Sequence, residues 1–405
     1  MKLLCRYLLL LLVYTAAVIL VAMIPHRAIE NNCRTSIAYI LEQGEYPMAF
    51  GLPFLKTDNF TDLLMLNHVW CSNDTLPIES SIMNYIFWGD NNDLFEASQQ
   101  MITQPAQPFQ PMEYSRYWHG FQIVLRPLLI LTDYKRLITY NYVLLMLLAF
   151  WCLHEVWQHS SSLLPDAGRM PYVSISMGIV LLMIAFPAVP LCFQYSVCFY
   201  IMFLFIIAML RSKTVRLQDS CSFFTVGALT AFFDLLTTPL LTLGIPLLVS
   251  MQDIPAADRM RRTIQLSISW LLGYASLWLS KCMVAWLLTR QNIIGTFMEE
   301  VCMRSLIGLN TVRQLIVSHP IACTLIILLS IVLVILIVRR ILSVRSRHAW
   351  LLFVAALPML WYAVLLQHTI IHFFFVWRIM AITLLALLLL VIEFKAKGEK
   401  QVLYE

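Results

Sequence analysis

Long apolar runs separated by short polar connections dominate the chain. Several of these runs reach or approach the roughly 18 to 20 residues that cross a hydrocarbon core of about 30 Å. The pattern predicts an all-α polytopic membrane protein with about ten transmembrane helices in a single domain over residues 1–405. The predicted spans are residues 7–23, 137–157, 171–188, 190–210, 221–236, 238–251, 264–288, 320–338, 349–367 and 373–392.

Two longer polar segments interrupt this pattern. Residues 25–116 form the first extracytoplasmic loop, which is rich in Asp and Asn and contains a Pro- and Gln-rich piece at 104–111 that is typical of extended chain. Residues 289–319 form the second large extracytoplasmic segment, either an interfacial helix or a functional loop. The short apolar stretch 119–133 suits a helix lying in the interface, but its sequence is also compatible with a crossing.

The basic residues act as topology signals. Although the net charge is +5, the Lys and Arg residues occur in short clusters between apolar runs, which argues against a nucleic-acid partner. Half of the 28 basic residues fall in the five short connections that are cytoplasmic if the N-terminus is inside. We therefore expect a multi-pass membrane protein with both termini in the cytoplasm and an uncleaved first helix.

The cysteines show no CxxC pair, which argues against a structural zinc site. Cys33 and Cys71 both lie in the first outer loop, so the sequence leaves a disulfide between them open. The sequence indicates no definite cofactor, and a divalent metal stays open as well.

Unusual ionisable residues converge on the predicted outer face. A charged group in or near hydrocarbon costs a few kcal/mol and is by default a functional candidate. The candidates are Asp58, Asp62, Arg116, Tyr117, His119, Asp234, Lys281, His368, His372 and Arg378.

Each candidate also has a structural interpretation. Asp58 and Asp62, which share a face if helical, could cap or be solvated, and Asp234 could satisfy backbone groups at the helix break before Pro239. Arg116, Tyr117 and His119 could be interface anchors, and His368 with His372 could bind a metal although no third ligand is obvious. Arg378 needs an anionic partner, either Asp234 or a bound phosphate.

The layout resembles the type C (GT-C) superfamily of membrane glycosyltransferases, which use polyprenyl-phosphate or dolichyl-phosphate sugars. Its local patterns look like those of uncharacterised bacterial membrane proteins of this type. The patterns are Thr61-Asp62-Leu-Leu-Met-Leu-Asn67, Tyr117-Trp-His-Gly120 with Leu125-Arg-Pro127, Asp234-Leu-Leu-Thr-Thr-Pro239 and His372-Phe-Phe-Phe-Val-Trp-Arg378.

The resemblance implies that a first-loop carboxylate is the catalytic base, with Asp62 the best match and Asp58 the second. Arg378, His372, His368 and Lys281 would then bind the donor phosphate, and Arg116, Tyr117, His119 and Asp234 would shape the acceptor side. The chain departs from well-known members because that loop has no paired Asp-Glu or Asp-Asp, and because no sizeable soluble C-terminal domain follows the spans.

The resulting hypothesis is an inverting glycosyltransferase that moves a sugar from a polyprenyl-phosphate donor to an extracytoplasmic glycan or lipid acceptor, among membrane lipids. The rival is a lipid or small-molecule transporter or flippase, favoured by the interrupted segments at Pro187–Pro190 and Thr237–Pro239. The absence of an internal repeat and the gathering of polar residues at one face argue against that rival. A membrane-bound acyltransferase that uses His368 or His372 is a third alternative.

Overall fold

The computed structural model describes residues 2–104, 110–162, 172–212, 218–290, 293–318 and 348–402. Over these ranges the chain is helical, and its only β pairing is two isolated bridges. The α-helices are α1 Lys2–Ala22, α2 His26–Gln43, α3 Asn59–Cys71, α4 Pro77–Met83, α5 Leu94–Thr103, α6 Gln122–Leu131, α7 Tyr134–Ser162, α8 Tyr172–Met183, α9 Phe193–Arg211, α10 Ser220–Phe233, α11 Leu241–Ser250, α12 Arg259–Thr289, α13 Ile293–Ser318, α14 Ala349–Val364, α15 Leu366–Ile371, α16 Phe373–Val376 and α17 Ala381–Val402.

Within the described ranges, five helical segments are long and apolar enough to cross a membrane: Lys2–Ala22, Tyr134–Ser160, Phe193–Arg211, Arg259–Leu288 and Phe373–Ile392. Other predicted spans form shorter helices: α8, α10, α11 and α14 contain 12, 14, 10 and 16 residues. At a rise of 1.5 Å per residue these helices extend only about 15 to 24 Å. The predicted span at 320–338 lies outside the described residues, so the described chain supports five spans of the ten expected.

Both predicted helix breaks are present. Between α8 and α9 the chain forms a 3-10 turn, Phe186–Leu191, that contains Pro187 and Pro190. Between α10 and α11 it runs through an irregular segment, 234–240, that ends just after Pro239. Proline cannot donate the backbone hydrogen bond that would continue a helix, so each interruption follows from the sequence.

The interior of the bundle is centred on α11, all of whose residues are buried. Around it pack α8, α9, α10, α12, α14 and the helix that begins at residue 381. Helices α10 and α12 approach closely because each contributes a glycine, Gly227 and Gly273, that packs against the backbone of the other helix. A Cβ atom at Gly227 would overlap the carbonyl group of Trp270, and one at Gly273 would overlap that of Phe224.

Residues 26–131, which we call the cap, form a helical subdomain with their own hydrophobic core. Helices α2, α3, α5 and α6 contribute to that core, for example through Ile37, Leu66 and Leu125. The predicted first loop is therefore largely helical over its described residues, because an apolar stripe on each short helix is buried against its neighbours. Part of the Pro- and Gln-rich piece, residues 105–109, lies outside the described residues.

Helix α6 resolves how the stretch 119–133 is arranged. It has 10 residues, so it extends about 15 Å and is too short to cross a hydrocarbon core of about 30 Å. Instead it packs within the cap, where Arg126 donates hydrogen bonds to the carbonyl oxygens of Ile24 (2.6 Å) and Val69 (3.3 Å). The stretch is therefore a cap helix.

The cap rests on one end of the helix bundle, which we call the capped end. The Gly120 amide donates to the Phe232 carbonyl at the end of α10 (2.9 Å), and the Trp118 indole donates to the Leu277 carbonyl in α12 (2.8 Å). The N-terminus of α9 and the C-terminus of α10 thus meet the cap at the same end of the bundle.

Two further expectations can be compared with the structure. The segment predicted at 289–319 as an interfacial helix or a loop is helical, because α13 occupies 293–318. Cys33 and Cys71 are free thiols. Each donates to a different acceptor, Cys33 to the Leu66 carbonyl (3.7 Å) and Cys71 to the Asn67 side chain (3.6 Å), so the disulfide left open by the sequence is not formed.

Candidate functional site

Asp62 binds the N-terminus of a distant helix. Its Oδ1 accepts the amide N–H of Gln194 (2.9 Å), and its Oδ2 accepts that of Phe193 (2.8 Å) and the hydroxyl of Tyr134. The side chain is 1% exposed, and burial raises the pKa of the carboxyl group although these hydrogen bonds oppose the rise. Because the first amides of a helix have no partner within it, Asp62 acts as a cap for α9 contributed from another element.

Asp58 caps its own helix. It precedes α3, and its carboxylate accepts the Thr61 amide (2.9 Å) and the Thr61 hydroxyl (2.6 Å). Burial raises the pKa of Asp58 to about 6, while the hydrogen bonds from Thr61 act in the opposite direction. Burial and, after it, the Asp58 charge raise the pKa of Tyr46 to about 12, so the two side chains are electrostatically coupled.

Arg378 is a buried cation without an anionic partner among the residues that the structure describes. It is 1% exposed, and its guanidinium lies over the rings of Tyr195 (4.9 Å) and Trp377 (5.4 Å). None of its three nitrogens makes a hydrogen bond of normal geometry to a described residue. A desolvated charge in this state is costly, so the geometry favours an anion at this position.

Asp234, the protein partner that the sequence suggested for Arg378, is engaged elsewhere. Its Oδ1 accepts the Thr237 amide (3.0 Å), the Thr237 hydroxyl and the Cys198 thiol (3.3 Å). These contacts stabilise the break between α10 and α11, which is the structural interpretation that the sequence left open for this residue. No ion pair joins it to Arg378 among the described residues.

A cavity of about 330 Å³, which Arg378 itself does not line, is linked to Arg378 through Tyr195. Tyr195 connects the two, because its ring lies under the guanidinium and its hydroxyl donates to the Lys56 carbonyl (3.4 Å). We call this cavity the Lys56 pocket, and its lining residues are Tyr46, Pro53, Phe54, Lys56, Ile371 and Phe374. A cationic side chain, a phenol and several apolar groups in one cavity suit a phosphate attached to an apolar chain.

His368 and His372 are close in sequence to Ile371 and Phe374, which line this pocket. Their rings are 4.5 Å apart, His368 Nε2 is 2.9 Å from the Leu236 carbonyl oxygen, and the His372 ring is 5.2 Å from that of Phe375. Both histidine rings thus lie near Phe375, whose ring is 5.4 Å from that of Tyr195 under the Arg378 guanidinium. Within the residues described, no group of three His, Cys, Asp or Glu side chains has the arrangement of a metal site.

Lys281 belongs to a second cluster, on the other side of the cap contact. It donates to the Ile82 carbonyl and lies over the Trp118 ring (5.7 Å). Nearby, the rings of His68 and His119 stack at 4.8 Å. Burial, with a further contribution from the Lys281 charge, lowers the pKa of His68 to about 3 and that of His119 well below its usual value.

This histidine cluster extends towards Arg116 and Tyr117. Arg116 lies over the Tyr114 ring (5.0 Å), and the rings of Tyr117 and His119 are 6.1 Å apart. Lys281, which was grouped with Arg378 from the sequence, is therefore placed instead with the residues expected on the acceptor side.

Sequence reasoning missed several side chains at these sites. Lys56 carried a usable signal, since it is the first charge after the apolar run 47–55. Tyr134 and Tyr195 carried none, because tyrosines near predicted span ends are common interface anchors, and Tyr46 was one aromatic residue within the predicted first loop. His68 lies within an apolar helix and resembles a core residue there.

The comparisons with known proteins do not assign the chain to a family. No family model matches it, and neither a curated protein nor a solved structure is significantly similar to it.

Proposed function

We propose that the protein is a membrane glycosyltransferase that transfers a sugar from a polyprenyl-phosphate donor to a glycan or lipid acceptor. The observation that carries the proposal is Arg378, a buried cation with no anionic partner among the described residues. Tyr195 links it to a pocket that is lined by another cation, Lys56. A donor phosphate would supply the missing negative charge, and the apolar lining would suit the first isoprene units.

The reaction is a single displacement at the anomeric carbon. The acceptor hydroxyl oxygen forms the new bond to this carbon while the bond to the phosphate oxygen breaks, and the phosphate leaves with the bonding electrons. Arg378 and Lys56 stabilise the negative charge that develops on the leaving phosphate, and a carboxylate accepts the proton of the hydroxyl. His372 and His368 border the same region and would contact the phosphate or the sugar.

We assign the role of base to Asp58 in preference to Asp62. The Asp62 carboxylate accepts three hydrogen bonds, two of them from the N-terminus of α9. Protonation of Asp62 would therefore weaken its capping of α9. The Asp58 charge contributes to the raised pKa of Tyr46, which lines the pocket, and the pKa of Asp58 itself, about 6, suits a base near neutral pH. The acceptor would approach from the histidine cluster, which contains Lys281, Arg116, Tyr117 and His119.

The proposed topology has about ten spans, with the capped end facing the extracytoplasmic side of a bacterial cytoplasmic membrane. Arg211, Arg259 and Arg262 support this orientation, because they lie at helix ends opposite the cap. Buried ionisable side chains also favour a site on one face. Among the described residues, the buried Asp, Lys, Arg and His side chains lie at the capped end, with the exception of His348 at the start of α14.

A transporter or flippase is the second candidate, and the short, interrupted helices α8, α10 and α11 favour it. Such helices can form a substrate path, whereas a transferase requires only a site at one surface. Movement of a lipid between leaflets distinguishes these two functions directly.

The test measures binding of polyprenyl phosphate to the full-length protein in nanodiscs, with the unphosphorylated polyprenol as the reference ligand. Arg378→Met is expected to weaken phosphate binding at least about tenfold and to leave polyprenol binding unchanged. Arg136→Met is the matched control because its side chain is 68% exposed, and it should bind both lipids as the wild type does. Equal phosphate binding by Arg378→Met and the wild type would remove the basis of the proposal.

Turnover is then measured with radiolabelled polyprenyl-phosphate sugars and membrane extracts as acceptors. Asp58→Asn should bind the donor normally and transfer no sugar. If the wild type binds the phosphate, transfers no sugar and moves the lipid between vesicle leaflets, the transporter is the correct function.

A further inference from the structure

Residues 47–55 form an apolar loop within the otherwise polar cap. The segment reads Pro-Met-Ala-Phe-Gly-Leu-Pro-Phe-Leu and contains no charged or hydrogen-bonding side chain. Charged residues flank it closely, Glu45 before it and Lys56 after it. Such a boundary between apolar and charged residues is typical of chain at a membrane interface.

Backbone hydrogen bonds close this loop at its base. The Ala49 amide donates to the Leu55 carbonyl (2.7 Å), and the Thr57 amide donates to the Pro47 carbonyl (3.0 Å). Ala49 and Leu55 are buried against Ala188 in the turn between α8 and α9. The base is therefore fixed to the capped end of the bundle, and the tip is held in one conformation.

The tip presents large apolar side chains outward. Phe50 is 57% exposed and Phe54 is 70% exposed, and Met48 and Leu52 are exposed as well. Phe50 also has a left-handed backbone, with φ of +54° followed by +69° at Gly51, and this conformation is uncommon and costly for a bulky residue. The chain thus holds a strained conformation that directs a phenylalanine away from the protein.

This surface continues into the start of a candidate membrane span. Ile371 and Phe373, at 57% and 58% exposure, lie where the segment Phe373–Ile392 begins. Phe54 and Ile371 line the same pocket, so the loop tip and the end of the span lie side by side. Lipid around that span would therefore also meet the loop tip.

We propose that the loop 47–55 is a membrane anchor, whose tip inserts into the lipid leaflet at the capped end of the protein. Phe50 and Phe54 would lie among the acyl chains close to the headgroups, and Lys56 would lie at headgroup depth beside them. One wall of the Lys56 pocket would then open directly to the leaflet. The anchor itself does not depend on the proposed transferase activity, because it concerns the depth of this loop and no reaction.

The experiment places an environment-sensitive fluorescent amino acid at position 50 of the full-length protein. The protein is reconstituted in vesicles of phosphatidylethanolamine and phosphatidylglycerol, with or without lipids that carry a nitroxide near the headgroup or near the acyl terminus. The headgroup-proximal nitroxide should quench about half of the emission or more, and the deep nitroxide should quench less, as expected for insertion at the interface. The same label at Asp90, an exposed polar position of the cap, should not be quenched by either lipid.

Two results would overturn the anchor. Emission typical of water without quenching would place the tip in solvent. Blue-shifted emission without quenching would place it against protein, such as a second copy of the chain. A second label at position 54 checks against a local effect of the first label and should show the same depth. Phosphate binding through Arg378 is measured in a separate experiment. The anchor and the transferase proposals can therefore fail independently, and the two failures can be told apart.

Discussion

Asp62→Asn separates the role of a helix cap from that of a catalytic base. The asparagine side chain keeps one acceptor oxygen for the Gln194 amide, but its NH2 group would face the Phe193 amide and the Tyr134 hydroxyl, which are donors to Oδ2 in the wild type. Leaving a buried donor without a partner costs about 1 to 3 kcal/mol. Loss of the negative charge at the N-terminus of α9 adds about 1 kcal/mol.

The expected destabilisation is therefore about 2 to 4 kcal/mol. Asp93 provides a matched control, since it accepts the amides of Phe95 (2.8 Å) and Glu96 (3.1 Å) at the start of α5 but is exposed to solvent. Asparagine caps helices about as well as aspartate does, so Asp93→Asn should change stability by only a few tenths of a kcal/mol.

The measurement is thermal unfolding of the full-length protein in nanodiscs, followed by tryptophan fluorescence. Asp62→Asn should lower the midpoint by several degrees, and Asp93→Asn should leave it unchanged. If Asp62→Asn unfolds with the wild-type midpoint, the capping argument is wrong. If the same variant also loses sugar transfer, Asp62 is the base that the family resemblance implied.

Three other predictions concern charge and packing. Burial raises the pKa of Asp58 to about 6 in the folded state, against an ordinary value of 3.8. Protonated Asp58 therefore contributes about 3 kcal/mol of stability at low pH, and this contribution is lost as the pH rises from about 4 through 6. Asp58→Asn should remove this part of the pH dependence of the unfolding midpoint, and an unchanged profile would contradict the assignment. Arg378→Met replaces a buried, unpaired cation by an apolar side chain and should keep or raise stability by about 1 to 4 kcal/mol while phosphate binding is lost; a lower midpoint would show that the cation has a protein partner. Gly227→Ala should destabilise the contact with Trp270 by about 1 to 3 kcal/mol or prevent folding, whereas Gly178→Ala, whose nearest neighbour to a new Cβ is 3.9 Å away, should unfold as the wild type does.

The sequence predicted a helical membrane protein because a helix that crosses the hydrocarbon core needs roughly 20 mostly apolar residues, and such runs are visible in a sequence. It also predicted both helix breaks, since proline acts locally. The number of spans was less predictable. An apolar run such as 238–251 indicates burial but not whether lipid or protein surrounds it, and α11 turns out to be enclosed by other helices.

The candidate site was predictable in part. Arg378, His368 and His372 were found because ionisable residues are unusual beside a membrane span, and the structure brings them into one region. The grouping of Lys281 with them was not supported, since contacts such as that between Lys281 and Ile82 join positions 199 residues apart. The contacts of Asp62 could not be predicted for the same reason, since nothing in the sequence near position 62 identifies the distant helix that it caps.

The position of the cap has a consequence for biosynthesis. The cap lies early in the chain, but Asp62 meets Phe193 131 residues later, and Trp118 meets Leu277 159 residues later. These hydrogen bonds can form only after α9 and α12 have been synthesised. A chain truncated before α12 would therefore lack the Leu277 carbonyl that accepts the Trp118 indole, and the cap would be joined to the bundle less completely.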